Sequence, residues 1–317
     1  MSTLTPLEPG VLDGVTKPTL DKIKSTGITT VEALSVQFPK ELAEQSGMGE
    51  DTASNAIRKA LEFVGAGFMT GKQLHERQSK RLRLKTGSSK LDWILGGGIE
   101  TEITTEFVGE FGSGKSQIAH TAAVLAQLPL EEGGLDGMVA VIDTEGTFDS
   151  RRIIEIAEAR GLDPEKTLDN IHIAVAFNTP HQIILIEGLH ELCTENNIKL
   201  IIIDSMMGHM RSEYVGRGML GARQDQLKTA LQKLMKTAQV NKVAVIFTNQ
   251  VMDKPDIMYG NPVKPIGGHI MAHASTVRVM LTKGKGPRRY AEIIDASYLP
   301  PEKVPFRITT AGIEDDE

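Results

Sequence analysis

Apolar positions recur along this chain in two different rhythms. Over the first sixty or so residues they return every three or four places, as in TKPTLDKIKSTG and EDTASNAIRKALEFV, with tight turns between. That spacing lines one face of a helix and predicts a small all-helical module. From residue 82 onward, short β-branched and aliphatic runs alternate with helical stretches: ITTEFVG, SQIAHTAAVLAQL, MVAVID, RRIIEIAEARG, NIHIAVA, HQIILIEGLHELCTEN, KLIIID, DQLKTALQKLMKTAQ and VAVIFTN. Continuous apolar strands are buried on both faces, so this pattern predicts an α/β core with a parallel sheet covered by helices on both sides. TVRVMLTK, RRYAEIID and VPFRITT follow without long helices and are expected to extend the sheet by antiparallel pairing.

Residues 65–80, opening GAGFMTGKQ, mix glycine with basic residues and read as a linker. The expected organisation is therefore a helical domain over 1–64, a linker over 65–80 and an α/β core over 81–317. With 317 residues, 40% apolar and 24% charged, the chain has globular composition, which excludes a disordered or collagen-like protein. No run approaches the length of a membrane span, and MSTLTPLEPG has neither a basic nor an apolar leader segment. A cytoplasmic protein without a membrane partner is expected. The single cysteine, Cys193, excludes an internal disulfide and the usual Cys-x-x-Cys zinc arrangements, and reads as inert packing.

A net charge of −6 argues against coating nucleic acid by bulk attraction. The charge is uneven: Lys72, Arg77, Lys80, Arg81, Arg83, Lys85 and Lys90 face only Glu76 in one stretch, which reads equally as a solvated face or as an anion-facing one. Two turns in the helical module, Asp13-Gly14-Val15-Thr16 and Ser46-Gly47-Met48-Gly49, each read as lying between helices. They suggest helix-hairpin-helix units, which present backbone N–H groups to DNA phosphates, although glycine-stopped helices are also common in ordinary bundles.

The strongest chemical signal is Gly109-Glu110-Phe111-Gly112-Ser113-Gly114-Lys115-Ser116, a complete G-x-x-x-x-G-K-S loop between a strand and a helix. Its glycines let the backbone wrap phosphates. Loop N–H groups and the helix N-terminus donate, Lys115 reaches the β and γ phosphates, and Ser116 is placed to ligand Mg²⁺. ATP with Mg²⁺ is thus the expected ligand. Two further strands end in carboxylates, at Asp204 and at Asp143 with Glu145 beyond it, and the C-terminal ends of neighbouring parallel strands share one crevice. Asp204 is the candidate for holding Mg²⁺ and Glu145 for activating the attacking water, while Asp143 reads as a strand-end cap. VAVIFTN brings Asn249 and Gln250 to the same edge, where an uncharged amide suits a γ-phosphate sensor.

FVGEFGSGKSQIAH, VIDTEG, IIIDS, MRSEYVGRG, TNQV and KPIGGHIMAHAS, in that order and spacing, closely resemble the RecA-like strand-exchange recombinases, in particular archaeal RadA and its eukaryotic homologues. The resemblance spans essentially the whole chain. It implies a RecA-like core behind a helix-hairpin-helix module, and ATP-dependent strand exchange on single- and double-stranded DNA in recombination and repair, in the nucleoid of an archaeal-type cell. It assigns Glu145 and Lys115 to catalysis, with Gln250 coupling the γ phosphate to DNA. Gln117 follows Ser116 in the nucleotide-binding stretch, and Arg152 corresponds to an arginine against the adenine ring. Arg211, Arg217 and Arg223 fall in MRSEYVGRGMLGAR, similar to the first DNA-binding loop. MDKPDIMYGNPVKPIGGH, with Lys254, Tyr259, Lys264, Gly267 and Gly268, is similar to the second.

The resemblance further implies self-association into a filament or ring. Phe68 corresponds to the linker phenylalanine that docks on a neighbouring protomer. Asp295 and Pro300 correspond to a cap over the neighbour's ATP, and His273 to an inter-protomer nucleotide contact. Avidity along a DNA strand then replaces bulk charge. Four departures stand out: Gly71 where alanine is frequent, Gly146 where asparagine is common, Asp149-Ser150 where arginine and proline are usual, and Val175 at a position often held by arginine. Two rivals remain: a RecA-fold helicase, and a paralogue or mediator-linked factor that supports another protein's filament.

Overall fold

The computed structural model describes residues 5–214, 219–253 and 263–316, in two compact units, one up to Lys80 and one from Arg81. In the first, α1 (Lys17–Lys24), α2 (Val31–Ser35), α3 (Pro39–Ser46) and α4 (Glu50–Phe63) bury Leu20, Ile23, Leu34, Leu42, Ala53, Ile57 and Ala60 against one another. Pro39 starts α3, where its missing N–H costs nothing, and Gly47 ends it in the left-handed conformation. Gly47, Met48 and Gly49 therefore join two helices, as the sequence suggests. The turn at Asp13–Thr16 does not: turns, not a helix, precede it, because Pro9, Gly10 and Gly14 leave no run long enough to close helical hydrogen bonds. The stretch read as linker also contains a helix, α5 (Gly71–Gln78). Thr70 and Gln73 close a reciprocal capping box at its start, and it buries none of its side chains.

The second unit opens with β1 (Arg83–Leu84), α6 (Ser89–Ile94) and β2 (Ile99–Glu100), and continues with β3 (Thr104–Gly109), α7 (Lys115–Leu125) and β4 (Met138–Asp143). Then come α8 (Ser150–Ala159), α9 (Pro164–Asp169), β5 (Ile171–Val175), α10 (Thr179–Glu195), β6 (Ile198–Asp204), α11 (Gly208–Glu213), α12 (Leu220–Asn241) and β7 (Ala244–Asn249). β8 (Val251–Asp253) and β9 (Val263–Pro265) pair with each other, and α13 (Gly268–Ala274) leads to β10 (Val277–Lys283), β11 (Arg288–Ala296), β12 (Lys303–Thr309) and β13 (Gly312–Asp315).

The main sheet has the order β13-β12-β11-β10-β3-β7-β6-β4-β5. From β10 to β5 every pairing is parallel, and β11, β12 and β13 add antiparallel strands. The expectation of antiparallel pairing thus holds for RRYAEIID and VPFRITT but not on both sides of TVRVMLTK. Short as it is, α13 carries the chain across the sheet, and β10 lies parallel to β3. Alternate residues of each central strand enter opposite cores. Val139, Val141, Leu200, Ile202 and Ile246 pack with Ile118 of α7 and Ile153 of α8; Ala140, Ile142, Ile201, Ile203 and Phe247 pack with Ile186 of α10, Leu234 of α12 and Met271 of α13. Both strand faces must be apolar to serve two helical layers, which is why these strands read as unbroken apolar runs.

Among the described residues no helix is long and apolar enough to cross a membrane. Cys193 packs beside the second core, and burial pushes its thiol up to about 12, consistent with inert packing.

Candidate functional site

Every parallel strand of the sheet delivers its C-terminal end to one edge, and the phosphate loop leaves that edge after β3. Gly112 and Gly114 have φ of +74° and +106°, conformations that side chains resist, and a Cβ on Gly109 would lie 2.4 Å from the Leu281 carbonyl oxygen. These glycines therefore make a cradle that a side chain would fill or strain. Lys115 Nζ donates to the carbonyls of Gly109 and Glu110, each at 2.9 Å, and hangs over the loop mouth. Burial draws its ammonium below the ordinary value and Lys283 adds to that, while Asp204 and Glu145 oppose it. Ser116 and Thr248 both donate to Asp204, whose carboxyl burial pushes upward.

A cleft of about 870 Å³ opens here, lined among others by Phe111, Gly114, Lys115, Ser116, Gln117 and Arg152. Its chemistry fits a nucleoside triphosphate. N–H donors and an ammonium converge where phosphates would lie, and the hard oxygens of Ser116 and Asp204 suit Mg²⁺. Arg152 Nε donates to Gln117 Oε1 at 2.8 Å, and the same guanidinium donates to the Thr309 and Thr310 carbonyls. Its plane is thus locked at the rim of the cleft, as stacking on a base requires.

Asp143 is the cap that its position suggested: its carboxylate accepts from the backbone N–H groups of Glu145, Gly146 and Phe148 at 2.8–3.0 Å. That pins the turn carrying Glu145. Glu145 Oε1 accepts from Ser205 Oγ at 2.7 Å and from Gln250 Nε2 at 3.1 Å, and Arg211 Nη1 donates to Gln250 Oε1 at 3.3 Å. Four side chains from four different segments therefore form one relay, from the cleft to α11. Among the described residues Glu145 Oε2 has no protein partner, which leaves that oxygen for a water.

Other expected site residues lie elsewhere. Arg211 is exposed on α11, and Arg223 sits on α12, so the first long segment is helical at both ends rather than an open loop throughout. Arg217, Lys254 and Tyr259 lie outside the described residues. Lys264 is on β9, and Gly267 and Gly268 start α13 with φ of +92° and +57°. His273, Asp295 and Pro300 are exposed and do not line the phosphate cleft of their own chain. Phe68 is fully exposed. Sequence reasoning missed two cations. Lys283 reaches to within about 3 Å of where a Gly112 Cβ would be, and Arg289 Nε donates to the Gly112 carbonyl at 3.2 Å. Both come from strands far along the chain, at spacings that no local motif encodes.

The Rad51 family model matches residues 77–316. The chain belongs to the Rad51 family. The DNA repair and recombination protein RadA of Ignicoccus hospitalis is 45% identical over 311 residues, covering 96% of this chain and 95% of that protein. The protein of the same description from Metallosphaera sedula is 43% identical over 307 residues, with 96% and 95% coverage. Within this Rad51-family chain the departures have local explanations. Gly146 has φ of +65°, a region that asparagine also visits, so the two residues satisfy the same turn. Asp149 caps α8 by accepting from the Arg151 N–H, and Arg151 holds its carboxyl down to about 2. Val175 is half-exposed at the end of the edge strand β5.

One buried group is expected to make the fold acid-sensitive. His120 of α7 packs edge-to-face on Phe148, and burial, helped by Arg152, pushes its imidazole down to about 4. An unfolded histidine titrates near 6.5, so between about pH 6.5 and 4 the unfolded chain binds more protons. Stability is retained above that window and falls by about 3 kcal/mol as pH drops through it. Denaturant titrations at several pH values should show this loss in the wild type and a much smaller one in His120→Gln; parallel curves would exclude His120 as the cause.

Proposed function

We propose that this protein is an ATP-dependent DNA strand-exchange recombinase acting in homologous recombination and repair. The relay Ser205–Glu145–Gln250–Arg211 is the observation that carries this reading, because it joins a complete phosphate cleft to a segment bearing an exposed arginine. In the proposed reaction ATP lies in the cleft with its phosphates on the loop N–H groups and Lys115, and Arg152 against the base. Mg²⁺ held by Ser116 and Asp204 would supply neutralisation of the phosphate charge. Glu145 takes the proton of the attacking water through Oε2, while Ser205 and Gln250 fix the carboxylate through Oε1. Arg211, Arg217, Arg223, Lys264, Gly267 and Gly268 form the DNA-facing surface, with the N-terminal module as a second contact through hairpin N–H groups.

ATP hydrolysis then serves assembly rather than chemistry on DNA. ATP is bound between protomers, with Asp295, Pro300 and His273 of one completing the site of the next. Phe68 anchors the linker on a neighbour. Two features support this: Phe68 is a fully exposed aromatic ring, and β5, the outermost strand, has no partner on its outer side among the described residues and carries exposed Ile173 and Val175, with Phe177 and Ile184 exposed beyond it. Phe68→Ala is expected to shift the protein from oligomer to monomer, read by light scattering, with at least about tenfold weaker assembly. Unchanged oligomers would remove Phe68 from the interface. The protein is proposed to work in the cytoplasm of an archaeal-type cell, on the nucleoid.

The test of function is joint-molecule formation between a labelled single strand and a homologous supercoiled plasmid, with ATP and Mg²⁺ and a heterologous plasmid as control. Homology-dependent product is expected. Its absence despite ATP and single-strand binding would replace this reading with that of a filament-supporting paralogue, and directional unwinding of a tailed duplex would replace it with a helicase.

A further inference from the structure

Beneath the nucleotide edge lies a buried carboxylate that the reaction above does not use. Glu106 of β3 has no solvent exposure, and three segments converge on it. Its Oε1 accepts from Asn249 Nδ2 at 2.8 Å, and its Oε2 from Ser275 Oγ at 2.9 Å and Arg278 Nε at 2.6 Å. Strand register explains the convergence: Glu106 is opposite Arg278 on one side and Phe247 on the other, so Asn249 is its diagonal neighbour on the same face.

Asn249 is the pivotal partner. Its amide also donates to the Ile266 carbonyl at 2.6 Å, and its oxygen accepts from the Gln250 N–H at 2.8 Å. The Ile266 N–H in turn donates to the Gln250 carbonyl at 3.0 Å. One carboxylate thus holds Asn249, which holds both the backbone of Gln250 and that of Ile266, just beyond β9. Through Ser275 and Arg278 it also holds the end of α13 and the start of β10. Both roots of the segment from 250 to 275 are tied to a single buried group.

A buried charge is costly unless fully partnered, and a buried ion pair is weak evidence for stability alone. Its geometric effect is stronger. If Gln250 shifts to meet or release a γ phosphate, Asn249 moves with it, and the shared carboxylate transfers that movement to Ile266 and Ser275. We propose that Glu106 is a positioning residue that transmits nucleotide state from Gln250 to Ile266 and, through Ser275, to the end of α13, and so sets how strongly ATP promotes DNA binding. This inference rests on the recombinase reading above.

The test compares single-stranded DNA affinity with and without ATP, alongside ATP affinity and thermal midpoint, in full-length wild type, Glu106→Gln and Asp92→Asn. Gln keeps the shape of Glu106 but places an amide against donors. Asp92 is a buried carboxylate that accepts from the Thr86 N–H and hydroxyl at 2.8 Å, outside the site, and controls for lost stability. The expected result is that Glu106→Gln keeps ATP affinity within about twofold while the gain in DNA affinity on adding ATP drops at least about fivefold, and that Asp92→Asn keeps the full gain. If Glu106→Gln does not fold, Ser275→Ala, which removes one partner, should show the same direction. A full gain in Glu106→Gln, or in Ser275→Ala where that stands in, overturns the proposal, as does an equal loss in Asp92→Asn. A wild type with no gain overturns the underlying recombinase reading instead, so the two failures are distinguishable.

Discussion

Lys115→Ala is expected to abolish ATP-dependent pairing of homologous DNA while leaving the fold intact. Among the described residues the side chain bonds to two carbonyls of its own loop, and alanine is the better helix former at the start of α7, so the thermal midpoint should hardly move. What disappears is the only ammonium extending from within the Gly109–Ser116 loop. Charge-assisted hydrogen bonds to phosphate are each worth about 1.5–3 kcal/mol, so two of them account for at least about a hundredfold in ATP affinity. Lys283 and Arg289 stand beside the loop, but they come from β10 and β11 and touch its Gly112 side, so neither replaces a cation centred over the mouth. Calorimetric ATP titration and joint-molecule yield measure the two consequences separately. Normal pairing in a folded Lys115→Ala protein would overturn the mechanism, since among the described residues the other cations of the cleft, Arg152 and Arg289, stand at its rim and on the Gly112 side.

How much of this was legible in the sequence depended on whether each feature is local. The phosphate loop is contiguous, so its eight residues announced themselves. The central strands were readable because burial on both faces fills them mainly with apolar residues, with polar ones such as Glu106 and Asn249 confined to a few positions. The first two carboxylates followed from topology alone, because parallel strands must end on one edge. The failures are non-local or concern short turns. The parallel placement of β10 depends on where α13 lays the chain down, which periodicity does not reveal. The helix at Gly71–Gln78 depends on one capping box, and the missing helix before Asp13 on two glycines and a proline. Lys283, Arg289 and the Glu106 cluster depend on register between strands separated by well over a hundred residues, which only the folded chain displays.

The cleft and the relay together give a division of labour. In the proposed reaction, binding depends on backbone N–H groups, Lys115 and Arg152, all held by the phosphate loop and its neighbours. Hydrolysis, in the proposed reaction, depends on one exposed carboxylate whose turn is pinned by Asp143 and whose orientation is set by Ser205 and Gln250. Since Gln250 is shared with Arg211, a DNA phosphate that attracts Arg211 competes directly for a partner of the group that orients the base. On the proposed reading, coupling of DNA to hydrolysis needs no large motion near the cleft, only an exchange of hydrogen bonds.

Glu145→Gln separates these two functions. The amide is the same size, and its oxygen can still accept from the Ser205 hydroxyl and the Gln250 amide, so the turn and the cleft should keep their shape. An amide does not accept a proton at neutral pH, and loss of a positioned general base typically lowers turnover by about 10²–10⁴-fold. The expected pattern is a fall of that order in kcat with ATP affinity within about twofold of wild type, the signature of an interaction made in the transition state. If ATP binding holds protomers together, complexes of Glu145→Gln on single-stranded DNA should also outlast those of the wild type, because the event that releases them has been slowed. Steady-state phosphate release gives the first quantity and dissociation of labelled DNA the second. Wild-type turnover in Glu145→Gln would move the base elsewhere in the cleft; slow turnover with unchanged DNA lifetime would keep Glu145 as the base and uncouple hydrolysis from disassembly.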